Sequence, residues 1–394
     1  MGGSTVERRC KITNAKLLLP TGIAHDKSVV FESGKIVEIS DNNTMIGSLP
    51  TIDAKGCFVA PGCIDTHIHG GGGHDFTEAT TEAFRAIAHA HARYGTTALY
   101  PTLAAAPLSV FEESIRVCES VMKEEPKGAS ILGLHLEGNY LNRTMCGGQN
   151  PEYLSLPDEK EYKALLRETS CVKRWSAAPE LPGALEFGRF ASDLGVLVSL
   201  AHTVADYSII KEAYQYGYTH ATHFYNAMTG VHKQGEYKKE GTIESVYLMD
   251  DMTVELIADG IHVPPAILQL VYKLKGVDKT ILVTDAMAPA ASENPVSHDK
   301  RVIIEDGVCK LADRSALSGS IATSDRLIRT LVNQAGIPLF DAIRMASETP
   351  ARIMGIYDRK GSLEKGKDAD IIIFDENIEI QTTIVEGRIV YNKL

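Results

Sequence analysis

The stretch FVAPGCIDTH (58–67) is an apolar segment that ends in a histidine, and a second histidine follows at position 69. Seven further apolar segments follow, and nearly all carry polar residues at or near their ends: TTALYPTL (96–103), SILGLHLE (130–137), VKRWSAAPE (172–180), VLVSLAHT (196–203), YTHATHFYNAM (218–228), TVELIADGIH (253–262) and TILVTDAM (280–287). Such runs are typical of parallel strands buried on both faces, and helical stretches separate them. Eight strands alternating with helices predict an α/β fold, a (β/α)8 TIM-like barrel. A doubly wound open sheet is the alternative.

The polar residues lie where the predicted strands end. In barrels of this kind the carboxyl ends of the strands form one rim, and enzymes place their chemistry there. A ring of His, Glu, Asp and Asn at strand ends has no structural requirement behind it. We therefore expect this rim to be a functional site.

The two ends of the chain read as short strands and turns. Residues 9–56 include KITNAKLLL and SVVFESGKIVEIS, and the tail includes DADIIIFD and TTIVEGRIVYN. Neither piece is large enough to fold comfortably alone. We predict one small β-sandwich domain formed by residues 1–56 and 355–394, with the barrel, residues 57–354, inserted between them.

Composition narrows the class of protein. The 394 residues are 44% hydrophobic and 23% charged, and the formal net charge of −11 makes nucleic acid an unlikely partner. Apolar runs stay below the 18 or so residues of a membrane span, and the first residues lack the apolar core of a signal peptide. Seven scattered cysteines without a C-x-x-C pair fit a reducing cytoplasm. We expect a cytoplasmic enzyme without a membrane partner.

His67 and His69 lie at the end of the first predicted strand. Residues i and i+2 of a strand project to the same side, so both imidazoles can reach one cation. A hydrogen-bonded structural pair is the alternative. His89 and His91 have the same spacing in a helical stretch, where the side chains diverge, and we predict no chelate there.

Three other strand ends carry further metal-ligand candidates. They are Glu137, His202 and His223. A carboxylate with two imidazoles suits a divalent first-row metal and leaves room for water. Asp285, at the end of the eighth predicted strand, is placed to take a proton from that water and return it to a leaving group. A helix-capping role for Asp285 is the alternative.

The motifs resemble the amidohydrolase superfamily and, within it, the N-acetylglucosamine-6-phosphate deacetylases. The matching segments are PGCIDTHIHGGGGHDF, GLHLEGNYLN, SAAPE, LAHT, THFYNAM, IADGIHV, LVTDAMAPA, LSGS and KGSLEKGKDADIIIFD, from about residue 56 to 390. H-x-H and the strand-8 Asp are typical of the whole superfamily, which has a metal-dependent hydrolase barrel. HLEG, TH-x-x-NAM and ADG-x-H are more specific to the deacetylases.

The resemblance assigns roles to individual residues. Glu137, His202 and His223 would hold the main metal, and Asp285 would be the catalytic acid and base. Backbone N–H groups of Asn226 and Ala227 would bind the sugar phosphate, together with His262. Gly148 and Gln149 would lie near the sugar hydroxyls and acetyl group, and LSGS would close the other side of the substrate, with Leu317, Ser318, Gly319 and Ser320.

Three positions depart from the pattern of these relatives. Asn139 replaces a proline that often follows HLEG, and Gln149 replaces a common histidine. Gln234 stands where relatives have a phosphate-binding arginine. The surrounding loop offers lysines instead, among them Lys233, which can bind phosphate as point charges.

The resemblance implies metal-dependent deacetylation of N-acetyl-D-glucosamine 6-phosphate in amino-sugar catabolism. The expected cofactor is a divalent ion, Zn²⁺ or Fe²⁺, bound tightly, with a second, weaker ion on His67 and His69. The expected partners are a small amino-sugar phosphate and a second copy of the chain in a homodimer. The alternatives are another amidohydrolase acting on N-acyl sugars or N-acyl amino acids, a cyclic-amide hydrolase, which the absence of Lys from SAAPE disfavours, and a non-catalytic sugar-phosphate sensor.

Overall fold

The computed structural model describes residues 9–41, 49–293, 295–297 and 299–394. The parts of the predicted small domain at 1–8 and 42–48 lie outside these residues. The described part of the N-terminal region contains seven short strands: β1 (Cys10–Thr13), β2 (Lys16–Leu19), β3 (Gly22–Ala24), β4 (Lys27–Glu32), β5 (Lys35–Asp41), β6 (Thr51–Asp53) and β7 (Phe58–Pro61).

A parallel barrel follows, as the sequence predicts. Its strands are β8 (Cys63–Ile68), β11 (Thr96–Ala104), β13 (Leu134–Glu137), β14 (Val172–Ala177), β15 (Leu197–Leu200), β16 (Tyr218–Ala221), β19 (Thr253–Leu256) and β20 (Thr280–Leu282), each parallel to its neighbour. Hydrogen bonds close the ring beyond β20: Asp285 N–H donates to the His67 carbonyl at 2.9 Å, and the Thr284 hydroxyl to Asp65 at 2.5 Å. The strands are almost wholly buried, which explains their continuous apolar character.

Short strands and helices complete the chain. The short strands are β9 (Gly70–Gly71), β10 (His74–Asp75), β12 (Ser130–Ile131), β17 (His232–Gln234), β18 (Tyr237–Lys239), β21 (Val302–Glu305) and β22 (Val308–Leu311). The helices are α1 (Thr81–Ala92), α2 (Leu108–Val121), α3 (Glu159–Glu168), α4 (Ala184–Asp193), α5 (Tyr207–Gln215), α6 (Thr242–Leu248), α7 (Pro265–Lys275), α8 (Ser324–Asn333), α9 (Leu339–Ala346) and α10 (Glu348–Ile353). Among the helices described, none is long and apolar enough to cross a membrane.

Both chain ends contribute to one six-stranded sheet. The C-terminal strands are β23 (Ile371–Phe374), β24 (Ile380–Val385) and β25 (Arg388–Asn392). The sheet order is β25-β24-β23-β7-β2-β3, and β5-β4-β1-β6 form a second sheet. These sheets fit the predicted small β-domain, while the division at residues 57 and 354 stays a prediction.

The first predicted strand, 58–67, is divided in the structure. Its first part is β7, which pairs with β2 and β23 in the terminal sheet, and only β8 belongs to the barrel. Gly62 lies between them, where a Cβ would come within 2.1 Å of the Thr97 side chain. The chain therefore passes from one sheet to the other at a point with no room for a side chain.

Candidate metal centre

Three predicted site residues follow barrel strands in the left-handed backbone region. The φ angles are 45° at His202, 28° at His223 and 47° at Asp285. Such conformations cost about 1–3 kcal/mol for non-glycine residues and cluster at functional sites. Hydrogen bonds on both sides hold the turn at Asp285, because its N–H donates to the His67 carbonyl and its carbonyl accepts from Ser320 N–H at 2.8 Å.

The structure brings the five predicted metal ligands and Asp285 into two buried groups. We call Glu137, His202 and His223 the Glu137 group, and His67, His69 and Asp285 the His67 group. Within each group the candidate ligand atoms lie within 4.8 Å of one another. All six residues are less than one tenth exposed.

The imidazoles show that these groups fit cations. Nδ1 of His202 donates to the Met145 carbonyl at 2.7 Å, and Nδ1 of His223 to the Asn226 carbonyl at 3.1 Å. In neutral rings the two Nε2 atoms then carry lone pairs, yet they face each other at 3.2 Å. Two acceptors at this distance repel unless a cation lies between them.

Glu137 connects the two groups. Its Oε1 lies 2.9 Å from Nε2 of His223 and 3.3 Å from Nε2 of His202. Its Oε2 lies 3.2 Å from Nε2 of His69 and 3.5 Å from Nε2 of His67. One carboxylate therefore offers one oxygen to each group, the arrangement by which a carboxylate bridges two cations.

The pKa values follow from burial and from opposite charges. Burial alone would raise the pKa of Glu137, but His67, His202 and His223 lower it well below its usual range. Burial alone would lower the pKa of His69, but Asp285 and Glu137 raise it to about 9. The pKa of Asp285 is lowered by His67 and His69 against the effect of burial. The protein groups thus form an ionic cluster in which a cation can replace protons.

Sequence reasoning missed a layer of buried charge directly beneath this cluster. Glu255 and Arg174 are both fully buried, and an oxygen of Glu255 lies 2.5 Å from the Arg174 guanidinium. Another Glu255 oxygen lies 2.6 Å from Nδ1 of His67. The sequence did contain an indication of this pair, because Glu255 and Arg174 are charged residues within otherwise apolar, buried strands. A buried charged residue needs a partner of opposite charge.

Three other histidines of the described residues are fully buried but lie outside the two groups. His135 lies below Glu137, where its ring nitrogens are 3.1 Å from Thr102 and 2.7 Å from Ser176. His220 contacts Thr253 at 2.6 Å. His91 is buried and donates to the carbonyl of Gly70, so it supports the loop after His69.

A cavity of about 510 Å³ opens above the two groups. Eight predicted substrate-binding residues line it: Gly148, Gln149, Asn226, Ala227, His262, Leu317, Ser318 and Gly319. Nδ1 of His262 donates to Asp259 at 2.8 Å, which fixes the ring at the cavity wall. The described lining residues include no lysine or arginine.

The other predicted substrate-binding residues lie elsewhere. Lys233 and Gln234 are exposed in the β17–β18 hairpin and are not among the described residues that line this cavity. Ser320 is fully buried behind the wall, where its hydroxyl donates to the Thr284 carbonyl at 2.6 Å. The structure therefore does not bring these three side chains to the cavity of their own chain.

Two departures from the relatives have a local structural account. Both ends of the Asn139 amide bind the backbone of Ala106, at 2.9 and 3.0 Å, so this side chain joins the loops after β13 and β11. Gln149 donates to Oε2 of Glu137 and accepts from the N–H of Ala105, both at 2.8 Å.

The backbone of Asn226 is already engaged within the protein. Its N–H, expected to bind phosphate, donates to the His223 carbonyl at 2.8 Å.

Residues 58–390 match the amidohydrolase family. The chain belongs to this family. Among the relatives of this amidohydrolase, the N-acetylglucosamine-6-phosphate deacetylase of Lysinibacillus sphaericus is 30% identical over 96% of this chain and 97% of that protein. The deacetylase of the same name from Bos taurus is 33% identical over 86% of this chain and 85% of that protein.

Solved structures of deacetylases with the same name are also similar to this chain. N-acetylglucosamine-6-phosphate deacetylase from Pasteurella multocida has a TM-score of 0.90 and 28% identity, over 97% of this amidohydrolase and 99% of that chain. A mutant of the Mycobacterium smegmatis deacetylase in complex with N-acetyl-D-glucosamine 6-phosphate has a TM-score of 0.89 and 27% identity, over 98% and 100%. The predicted family and barrel are thus confirmed.

Proposed function

We propose that this amidohydrolase hydrolyses the acetamide of N-acetyl-D-glucosamine 6-phosphate, giving D-glucosamine 6-phosphate and acetate. The observation that carries the proposal is the pair of buried ligand groups that share Glu137 beside Asp285, at the base of a cavity. Relatives that match nearly the whole chain bear the name of this activity.

The Glu137 group would hold the main divalent ion, Zn²⁺ or Fe²⁺, through Glu137, His202 and His223. Imidazole and carboxylate ligands suit both metals. His67 and His69 would hold a second, weaker ion; its weaker binding follows from the His69 ring, whose buried Nδ1 has no hydrogen-bond partner among the described residues to fix its orientation. A bound ion supplies Lewis-acid polarisation of the acetyl carbonyl and acidifies the attacking water.

Asp285 would move the proton. Its carboxylate lines the cavity, and Oδ1 lies 3.2 Å from Nε2 of His69 and 3.4 Å from Nε2 of His67. Because its pKa is lowered, it is ionised at neutral pH and can accept a proton as water attacks the acetyl carbon. It then delivers that proton to the amine nitrogen as the C–N bond breaks, since an unprotonated amine is a poor leaving group.

The cavity wall would hold the sugar. Gly148 packs directly against Ser318, because a Cβ on Gly148 would lie 2.4 Å from the Ser318 hydroxyl, and these two residues line the cavity with Gln149, Leu317 and Gly319. Ala227 and His262 would bind the phosphate end, whereas the N–H of Asn226, expected to do so, already donates to the His223 carbonyl. Lys233 and Gln234 lie outside the cavity of their own chain, so Lys233 would add positive charge, and Gln234 a hydrogen bond, to a substrate held by the other subunit of the homodimer proposed below.

The cellular setting is also part of the proposal. All seven cysteines are free thiols, which supports a reducing cytoplasm. We propose a homodimer as the assembled form.

One assay tests the function. Acetate release is measured from N-acetylglucosamine 6-phosphate, from N-acetylglucosamine and from an N-acyl amino acid whose acyl group is acetyl, each with and without chelator. We expect rapid release from the phosphorylated sugar, abolished by chelator and restored by Zn²⁺ or Fe²⁺. Release only from the N-acyl amino acid, or from none of the three, would overturn the proposal.

A further inference from the structure

Glu255 lies in β19, beneath the two ligand groups, and contacts both of them. Its Oε1 lies 2.6 Å from Nδ1 of His67 and accepts the backbone N–H of His223 at 2.8 Å. Its own carbonyl accepts the N–H of Phe224 at 2.8 Å. One residue therefore contacts a ligand side chain of the His67 group and the turn that carries a ligand of the Glu137 group.

The contact with His67 fixes which ring nitrogen faces the site. The ionised Glu255 carboxylate only accepts hydrogen bonds, so Nδ1 of His67 carries the proton. Nε2 then presents its lone pair toward His69, whose Nε2 lies 3.2 Å away. A carboxylate behind a ligating histidine sets its tautomer and orientation in this way.

The contact with His223 restrains its backbone. His223 has a φ of 28°, a conformation that persists only when surrounding contacts enforce it. The side chain of Glu255 holds the N–H of His223, and its main chain holds the next residue. The ring of His223 is thereby kept toward Glu137.

Arg174 holds Glu255 in place and neutralises its charge. The guanidinium contacts the other Glu255 oxygen at 2.5 Å, the Ser199 hydroxyl at 3.0 Å and the Thr222 hydroxyl at 2.9 Å. It also lies 3.4 Å from the carbonyl of Thr66. Thr66 and Thr222 directly precede His67 and His223, so the ion pair is anchored at the same two strands.

We propose that the buried Glu255–Arg174 pair is a positioning unit that sets the geometry of both ligand groups. It acts through His67 on one group and through the backbone of His223 on the other. The inference deepens the proposed metal-dependent function and rests on it. It assigns to Glu255 a role in ion affinity that is separate from contact with substrate.

Two double variants separate the effect of the hydrogen-bond acceptor at position 255 from the effect of the charge at that position. E255Q/R174M keeps an oxygen for His67 and His223, whereas E255L/R174M removes it, and neither leaves a buried charge unpaired. The dissociation constant for Zn²⁺ is measured on metal-free protein by competition with a chromophoric chelator, at a temperature where circular dichroism shows the native fold. We expect E255L/R174M to bind Zn²⁺ about 10–100-fold more weakly than E255Q/R174M. Equal affinities would overturn the proposal.

A single variant repeats the test while both charges of the Glu255–Arg174 pair are retained. E255D keeps the charge that pairs with Arg174 but is shorter by one methylene group, so it withdraws the acceptor from His67 and His223. We expect a loss of at least tenfold in Zn²⁺ affinity, and parent-like affinity would contradict the proposal. The matched control is E348Q/R352M, which removes an ion pair on α10 between the buried Glu348 and the half-exposed Arg352, with an expected change below twofold.

The H67N background shows whether Glu255 serves both groups. If it does, E255D weakens the remaining ion in H67N as well, whereas equal affinity of H67N and H67N/E255D limits Glu255 to His67 and overturns the shared role. The titration uses Zn²⁺ without substrate. Failure of the parent to bind Zn²⁺ would remove the proposed function, while binding that is unaffected by these variants would remove only this inference.

Discussion

The side-chain amide of Gln149 donates to Oε2 of Glu137 at 2.8 Å, and its oxygen accepts from the Ala105 N–H at the same distance. Both ends of the amide are engaged, so its orientation is determined. Oε2 is the Glu137 oxygen that faces the His67 group. Gln149 therefore helps to hold the carboxylate that both groups share.

We predict that Gln149→Leu weakens metal binding about tenfold, the lower end of the usual cost of losing a hydrogen bond to a ligand. It also leaves the buried N–H of Ala105 without an acceptor, which lowers the free energy of unfolding by about 1–3 kcal/mol. Zn²⁺ titration and denaturant unfolding measure the two effects. Gln269→Leu, which loses only a bond to the Ala335 carbonyl at 3.2 Å, is the control and should leave Zn²⁺ affinity unchanged.

For Asp285→Asn we predict a fall in turnover of at least about 10²-fold, because the amide cannot accept the proton from water. The side chain keeps its size, and the backbone bonds to His67 and Ser320 remain. The ion on the Glu137 group should stay bound, as metal analysis can check. Turnover within a few-fold of the parent would remove Asp285 from the mechanism.

The sequence predicts the candidate metal ligands better than the buried residues that position them. His67, Glu137, His202 and His223 each lie within two residues of the end of a barrel strand, and strand ends meet at one rim whatever the details of packing. The meeting of Glu255 with Arg174 depends on the register of β14 against β19 across the barrel interior, which periodicity in one strand does not encode.

Two other features of the fold also could not be predicted from the sequence, because they depend on how distant parts of the chain pack. The segment 58–67 reads as one apolar strand, yet its first four residues pair in the terminal sheet, because only three-dimensional pairing distinguishes two consecutive buried strands. The placement of the β17–β18 hairpin away from the cavity depends on the turn geometry from His223 to Ala227, where His223, Tyr225 and Ala227 have left-handed backbone angles.

Substitution of Lys233 tests how the protein recognises the phosphate group of the substrate. The described cavity lining contains no lysine or arginine, and Gln234 cannot supply a positive charge. We predict that Lys233→Ala raises KM for the phosphorylated sugar about fivefold or more and changes KM for the unphosphorylated sugar by less than twofold. The exposed Lys123 provides a charge-matched control in Lys123→Ala. Equal effects on both sugars would show that Lys233 does not read the phosphate.

Metal binding should release protons. Burial opposes protonation of His69, but Asp285 and Glu137 raise its pKa to about 9, so at pH 7 the ring carries a proton that a cation must displace. Affinity at the His67 group should therefore fall as pH falls below about 9, by about tenfold per pH unit for each proton released. Calorimetry in two buffers of different protonation enthalpy measures the release. His69→Asn should release about one proton fewer, and an unchanged release would contradict the assignment.

The last prediction concerns the number of ions. Five imidazole and carboxylate ligands exceed what one catalytic ion needs, since about three protein ligands and water suffice. The structure divides them into two groups, and Glu137 offers one oxygen to each. We therefore predict about two ions per chain after reconstitution with excess Zn²⁺ or Fe²⁺, the one on His67 and His69 being lost first on dialysis.

The variant His67→Gln/His69→Asn distinguishes two sites from one. It removes both imidazoles of the His67 group and leaves Glu137, His202 and His223 intact, so the content should fall from about two ions to about one. His89→Gln, on the exposed face of α1, is the control and should keep both. If the parent and the double variant each hold a single ion, His67 and His69 serve only as hydrogen-bonding neighbours of a mononuclear site, because imidazoles that bind no ion contribute nothing to the count.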